Sequence, residues 1–281
     1  MTEISRPVVR LRPTAAAKAI RHGFPWVYDN ELVFDRRTKK IHDGTIVTLE
    51  DSDRNPLGTA AFNATSRITC RMLDQDGEAD INYDWIAAHL KRALTLRELM
   101  FDKPFYRLVH AEADGFPGVI IDRFGDVAVL QPNAAWADAL VDVIVQALVD
   151  VTGVKTVIKN ASGRSRALEG LDDATAIAFG EMPNAAIPVE MNGATYMADV
   201  AGGQKTGLFF DQRPNHAFAA SLSRDADVLD VFSHVGGFSL AALKAGAKSA
   251  LAVDGSAPAL ALAEQGAEAS GVADRFATLK G

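Results

Sequence analysis

Residues 226–254 narrow the choice of fold more than any other stretch. A short apolar segment at 226–232 runs into a turn holding Gly236 and Gly237, then into a helix-forming segment at 238–245 closed by Gly246. A second apolar segment follows at 249–253 and ends on Asp254. Strand, loop, helix and strand of these lengths predict a parallel βαβ crossover. In such a unit a ligand sits outside the carboxyl ends of the strands, where loop amides and the helix N-terminus are expected to be free. Glycines there let a ligand approach the backbone closely. A diphosphate-binding turn would need a third glycine in a G-x-G-x-x-G spacing, which is absent, so a diphosphate is disfavoured. An acid at the end of the second strand suits a ribose diol.

Upstream, the 281 residues divide by pattern. Over residues 1–74, short apolar segments at 8–11, 45–50, 57–62 and 67–73 are separated by turn residues, which predicts a small β domain. Phe24, Pro25 and Trp26 mark a local turn whose aromatic residues either pack or stack on a base, with packing the simpler reading. From Tyr83 to Met100 apolar residues recur at helical spacing, with Asp84 as the expected cap. Strands are predicted at 108–111, 118–122, 127–131 and 155–159, with a helix on Trp136, Leu140, Ile144 and Leu148 ending at Gly153. This is an α+β middle domain over 75–185, and the polar, glycine-containing stretch 161–180 reads as its closing loop.

Composition excludes some classes of function. Cys70 is the single cysteine, so an internal disulfide and metal sites built on paired cysteines are ruled out, and no metal is expected. No apolar run reaches the roughly 18 residues of a membrane span, and the charged N-terminus lacks a signal-peptide pattern, so the expectation is a cytoplasmic protein without a membrane partner. The formal net charge of −7 argues against nucleic acid, but it is unevenly spread. Residues 1–40 hold nine Lys/Arg against four Asp/Glu, leaving 20 against 32 in 41–281. The basic segment either contacts RNA or is a solvated charged face.

Residues 202–213 read GGQKTGLFFDQR, a density of polar groups between glycines that packing explains poorly. Together, GQKTGLFFDQR at 203–213 and DVFSHVGGFS at 230–239 resemble the bacterial ribosomal RNA large-subunit methyltransferase I family, whose members are S-adenosylmethionine-dependent cytosine-C5 methyltransferases. The run RLVHAEADGFPGVIIDRFGDVAVLQ at 107–131 is similar to the family's middle domain. The resemblance implies a PUA-like RNA-binding domain over 1–74, a middle domain over 75–185, and an α/β, Rossmann-like methyltransferase domain over 186–281. It implies S-adenosylmethionine as cofactor and ribosomal RNA as partner, and it leaves a homodimer open. Cofactor contacts are implied at Lys205, Phe209, Asp211 and Arg213, with Gln204, Thr206 and Gly207 in the same segment. Others are implied at Phe232, Gly236, Gly237, Phe238 and Ser239, with Asp254 as the ribose acid. Lys205 or Arg213 can pair with the methionine carboxylate through charge-assisted bonds, or Asp211 and Arg213 can pair with each other or with neighbours to brace the domain.

Cytosine-C5 transfer needs a thiolate to attack C6 and a base to remove the C5 proton. Cys70 lies in a strand-like segment of the β domain, so it is expected to be packed. The catalytic residues are therefore unknown and expected beyond Gly281, with the chain as the first part of a longer enzyme whose sheet would otherwise stop after three strands. Guanine-N7 transfer, which needs no cysteine, and a non-catalytic RNA-binding protein with a vestigial cofactor domain remain alternatives. A nicotinamide oxidoreductase is disfavoured by the missing glycine.

Overall fold

The computed structural model describes residues 6–173, 175–202 and 207–281. Two compact units emerge. The first holds residues up to Leu99 with Leu108–Ile121 and Leu130–Gly180, and the second holds Met100–Arg107, Asp122–Val129 and Glu181–Gly281.

In the first unit, β1 (Val8–Arg10), α1 (Ala17–Arg21), β2 (Trp26–Tyr28), β3 (Ile46–Glu50), β4 (Pro56–Phe62) and β5 (Ile68–Asp74) form a small β domain. Its sheet has the order β1-β3-β4-β5-β2. The strand periodicity shows in β3, where Val47 and Leu49 are fully buried while their neighbours are only half-buried. These two pack with Val9, Val27, Phe62 and Cys70 in one apolar core. Much of the basic N-terminal segment is turned onto its own domain. Arg6 donates to Thr59 Oγ1 at 2.9 Å, Arg10 pairs with Glu50 at 2.9 Å, Arg12 donates to the Leu32 carbonyl at 2.8 Å, and Arg21 pairs with Asp51. Arg36, Arg37, Lys39 and Lys40 stay exposed around a 3-10 turn.

The chain continues through α2 (Tyr83–Met100), β6 (Phe105–His110), β7 (Val119–Phe124), β8 (Val127–Pro132), α3 (Ala135–Ala139), α4 (Val141–Thr152), β9 (Thr156–Lys159), α5 (Arg164–Leu168) and β10 (Ala176–Phe179). Their sheet has the order β10-β9-β8-β7-β6. Three expectations are corrected here. The cap of α2 is Asn82, whose Oδ1 accepts from the Trp85 amide at 3.1 Å, and Asp84 instead adds first-turn negative charge. The helix through Trp136 and Leu148 is two helices, because Leu140 leaves helical geometry between them. The segment read as a closing loop contains α5 and β10. A buried arginine, Arg166, holds α5: it donates to the Pro132 and Asp172 carbonyls and to Asp138 Oδ1 at 3.0 Å.

In the second unit, β11 (Ile187–Met191) and β12 (Ala194–Ala198) pair as an antiparallel hairpin, and α6 (Arg213–Ser221) follows. The hairpin turn is Asn192-Gly193, both at positive φ, a pairing whose twist matches the strands. Then come β13 (Asp227–Val231), α7 (Gly237–Lys244), β14 (Ser249–Asp254), α8 (Ala257–Ala269) and β15 (Phe276–Lys280). The three strands are parallel in the order β13-β14-β15, so the βαβ reading holds and is repeated once. Helix α8 packs on β12 as well as on its own sheet. Gly266 permits this: a Cβ there would meet the Thr195 carbonyl oxygen at 3.0 Å and Leu240 Cδ1 at 2.9 Å. Among the described residues no helix is long and apolar enough to cross a membrane.

Candidate cofactor site

The site is built on the loop between β13 and α7. Phe232 and His234 adopt positive φ, as does Gly236, so the chain turns sharply three times before the helix begins at Gly237. Non-glycine residues in this region cost energy, and such strain concentrates where loops serve ligands. Two carboxylates hold the loop. Asp254, at the end of β14, accepts from the His234 amide through Oδ2 and from the Ser256 amide through Oδ1, both at 2.8 Å. Each oxygen keeps further lone pairs for a diol. Asp230, buried at the end of β13, accepts from the Ser239 amide at 3.1 Å and the Ser239 hydroxyl at 2.7 Å, with the Phe238 amide also donating. Burial raises the Asp230 carboxyl above the usual range, against the pull of these donors.

This overturns one expectation. Two first-turn amides of α7, those of Phe238 and Ser239, are not free for a ligand, because they donate to Asp230. A buried carboxylate at that position neutralises the helix dipole that a phosphate would need, so the site is poorly suited to a diphosphate.

Beside the loop lies a cavity of about 120 Å³ lined by Met191, Tyr196, Leu208, Phe209, Gln212, His216 and the loop residues 232–235 with Gly237 and Phe238. Of the residues named from sequence, Phe209, Phe232, Gly237 and Phe238 share this wall. Phe232 is 89% exposed, and Phe209 meets His234 edge-on at 5.1 Å. Gly236 and Ser239 lie behind it, with Ser239 fully buried against Asp230. Asp211 is exposed and contacts the Gln212 amide at 3.3 Å. Arg213 faces elsewhere. Its guanidinium lies 4.3 Å over the Phe101 ring, donates to the Phe105 carbonyl, and lines a separate depression with Asp102, Lys103 and Glu190. Of the bracing alternative, the structure gives Asp211 and Arg213 neighbours as partners and not each other. Lys205, Gln204 and Thr206 lie outside the described residues. Cys70 is buried in the β domain core, and desolvation pushes its thiol pKa far up, which suits packing and not nucleophilic attack.

Three residues of the wall, Met191, Tyr196 and His216, were not read from sequence. His216, from α6, is 8% exposed, stacks on Tyr196 with ring centroids 6.4 Å apart and meets Phe238 edge-on at 4.5 Å. Its Nδ1 has no hydrogen-bond partner, and neither does the buried Ser233 Oγ. Burial lowers the His216 pKa from 6.5 to about 4. The unfolded chain therefore binds a proton that the folded one refuses between these values, and stability present above pH 6.5 is lost as pH falls toward 4. His89 and His234 shift the same way, so the expected result is comparative: thermal midpoints of His216→Phe should fall less steeply with acidification than those of the parent chain.

A family model described as a PUA-like domain matches residues 9–75, the β domain above. Ribosomal RNA large subunit methyltransferase I of Aliivibrio fischeri strain MJ11 is 35% identical over 254 residues, 89% of this chain and 64% of that protein. The protein of that name from Alteromonas mediterranea is 34% identical over 261 residues, 92% of this chain and 65% of that protein. The chain thus spans about two-thirds of the length of these curated relatives, 64–65%. Among solved structures, one named as a SAM-dependent methyltransferase from Streptococcus mutans superposes with a TM-score of 0.79 at 21% identity, covering 97% of this chain and 70% of that one, which shows a shared fold. Identity of about a third along nine-tenths of the sequence, behind a PUA-like N-terminus, makes most of the chain similar to the ribosomal RNA large subunit methyltransferase I proteins.

Proposed function

We propose that this chain holds S-adenosylmethionine in the β13–α7 site and belongs to a methyltransferase acting on large-subunit ribosomal RNA, at cytosine C5. The observation that carries the cofactor reading is the Asp230 carboxylate seated at the start of α7, beside an aromatic cavity and one strand from Asp254. That arrangement disfavours a diphosphate and suits a ribose diol with a ligand end that is cationic. The bound cofactor supplies a methyl group on a sulfonium. The protein's residues fix the ligand: Asp254 receives the ribose hydroxyls, and Phe209 and Phe238 wall the cavity.

Division of labour follows the chain. Residues 1–74 supply RNA binding, supported by the PUA-like match, 75–185 form a middle domain, and 186–281 hold the cofactor. A ribosomal substrate would place the protein in the cytoplasm. Cytosine-C5 transfer also needs a thiolate, which the buried Cys70 does not provide. For that reason transfer to guanine N7 is the second reading, and nucleoside analysis of RNA methylated by the full-length enzyme separates the two products.

Calorimetry of the chain with S-adenosylhomocysteine tests the cofactor reading. Binding is expected, weakened by about tenfold in Asp254→Asn, which keeps size but loses the charge on its hydroxyl acceptors. Absence of binding by the full-length protein would favour an RNA-binding protein without catalysis and overturn the proposal.

A further inference from the structure

Folding divides the basic N-terminal segment into two groups of cations with different fates. Arg6, Arg10, Arg12 and Arg21 are turned onto a hydroxyl, a carbonyl and two carboxylates of their own domain. Arg36, Arg37, Lys39 and Lys40 are instead four cations in five consecutive positions, the densest run of positive charge in the sequence. All four are exposed, and among the described residues none of them forms an ion pair.

The fold holds this run in one shape. Phe34 and Ile41, on either side of it, both pack against the core of the β domain. Between them Asp35 Oδ1 accepts from the Arg37 amide at 2.8 Å and the Thr38 amide at 2.9 Å, while the buried Thr38 hydroxyl donates to the Val33 carbonyl at 3.1 Å. A 3-10 helix turns once in about three residues. Thr38 and Ile41 therefore face inward together, which sets Arg37 and Lys40 on one outer side and Lys39 on the other. The carboxylate of Asp35 is engaged by its own backbone, and the cations are left to repel one another until a polyanion covers them.

The chemistry of the turn selects its partner. Residues 35–40 expose no apolar side chain, so nothing there would enter a lipid layer. They hold no aromatic ring on which a base could stack, and no side-chain amide to read a base edge. What four Lys and Arg side chains on a preset turn bind well is a row of backbone phosphates, whose contacts carry no sequence information. Against a chain with a formal net charge of −7, the turn is a local exception that would orient an approaching polyanion toward this domain.

We propose that the turn at 36–40 is the electrostatic anchor for the RNA strand, gripping successive phosphates without regard to base sequence. RNA as partner rests on the reading above; the geometry adds which cations meet it and what they recognise. Arg6, Arg10, Arg12 and Arg21 take no part.

Fluorescence anisotropy of a labelled single-stranded RNA with the intact chain, between about 50 and 200 mM KCl, tests this. Combining Arg36→Gln, Arg37→Gln, Lys39→Gln and Lys40→Gln should flatten the dependence of log K on log salt by about 3, at roughly 0.7 per phosphate contact on a single strand. The same variant should weaken two RNAs of unrelated sequence equally, by about tenfold or more at the lower salt. Arg10→Gln, whose parent side chain is already paired with Glu50, should leave the slope unchanged. Thermal midpoints of both variants check that they fold. A parent-like slope in the combined variant, an equal loss in Arg10→Gln, or weakening confined to one of the two RNAs would each overturn the proposal. Binding of phosphatidylserine vesicles that the combined variant loses, while its RNA binding persists, would assign the turn to a lipid surface instead. If the parent chain binds no RNA, the RNA reading fails along with the turn; if parent and combined variant bind RNA alike, the turn fails alone. Titration with S-adenosylhomocysteine involves none of these residues, so the cofactor reading is judged apart from both.

Discussion

Replacing Arg166 by leucine is expected to cost about 3–5 kcal/mol of stability, more than any other single change considered. The side chain is 1% exposed and donates to two carbonyls, Pro132 and Asp172, and to the Asp138 carboxylate. Leucine fills part of the volume but leaves the buried Pro132 carbonyl without its donor, while the Asp172 carbonyl, on an exposed residue, must turn to solvent. Asp138 would keep Lys159, at 2.7 Å, so the anion is not wholly abandoned and the loss sits mainly in the carbonyls and the anchoring of α5. Denaturant midpoints of the variant and the parent measure this directly. A difference under about 1 kcal/mol, the range of surface substitutions, would show that Arg166 is not what fixes α5.

A single added methyl at Gly237 should be the most damaging change to the cofactor site. A Cβ built there falls 2.5 Å from Cε1 and 2.6 Å from Nε2 of His216. The imidazole has little room to retreat, held by Tyr196 on one side and Phe238 on the other. Overpacking of this kind costs about 1–3 kcal/mol, and because His216 and Gly237 both line the cavity the strain is delivered to the ligand wall. Affinity of Gly237→Ala for S-adenosylhomocysteine should fall by about ten- to a hundredfold. Adding His216→Ala to it removes the clash, so the double variant should recover much of its stability, and the cycle isolates the contact. Parent-like affinity in Gly237→Ala alone would mean that this cavity does not hold the cofactor.

Local pattern carried much of the fold. Tyr83–Met100 is helical over its whole predicted span because its apolar spacing is regular and Gly and Pro are absent from it. Residues 226–254 declared a crossover because strand, glycine turn and helix each follow their own local rule. The β11–β12 hairpin went unread although its Asn192-Gly193 turn is the strongest short hairpin signal available. Other features had no local signature. What makes 164–168 helical is a bonding arrangement that reaches Pro132 and Asp138, more than 25 residues upstream. Asp84 was read as a cap from residue type, and Asn82 won because its side chain reaches the Trp85 amide. At the site, Asp230, Asp254 and the glycines stand in one contiguous stretch and were legible as a loop. His216 and Tyr196 come from α6 and β12, and only tertiary packing brings them to that loop.

The reach of α8 back to the hairpin has a consequence for the order in which this unit can form during synthesis. The Thr195 amide donates to Ser270 Oγ, and that hydroxyl donates back to the Thr195 carbonyl, across 75 residues of sequence. At about 5–20 residues per second, the ribosome needs about 4–15 s between making one partner and the other. Through that interval β11 and β12 have their tight turn to hold them together but lack α8, the helix that packs most extensively on β12. An isolated two-stranded hairpin is marginal in water. The aromatic wall of the cavity is therefore among the first pieces of the unit to be translated and among the last to be secured.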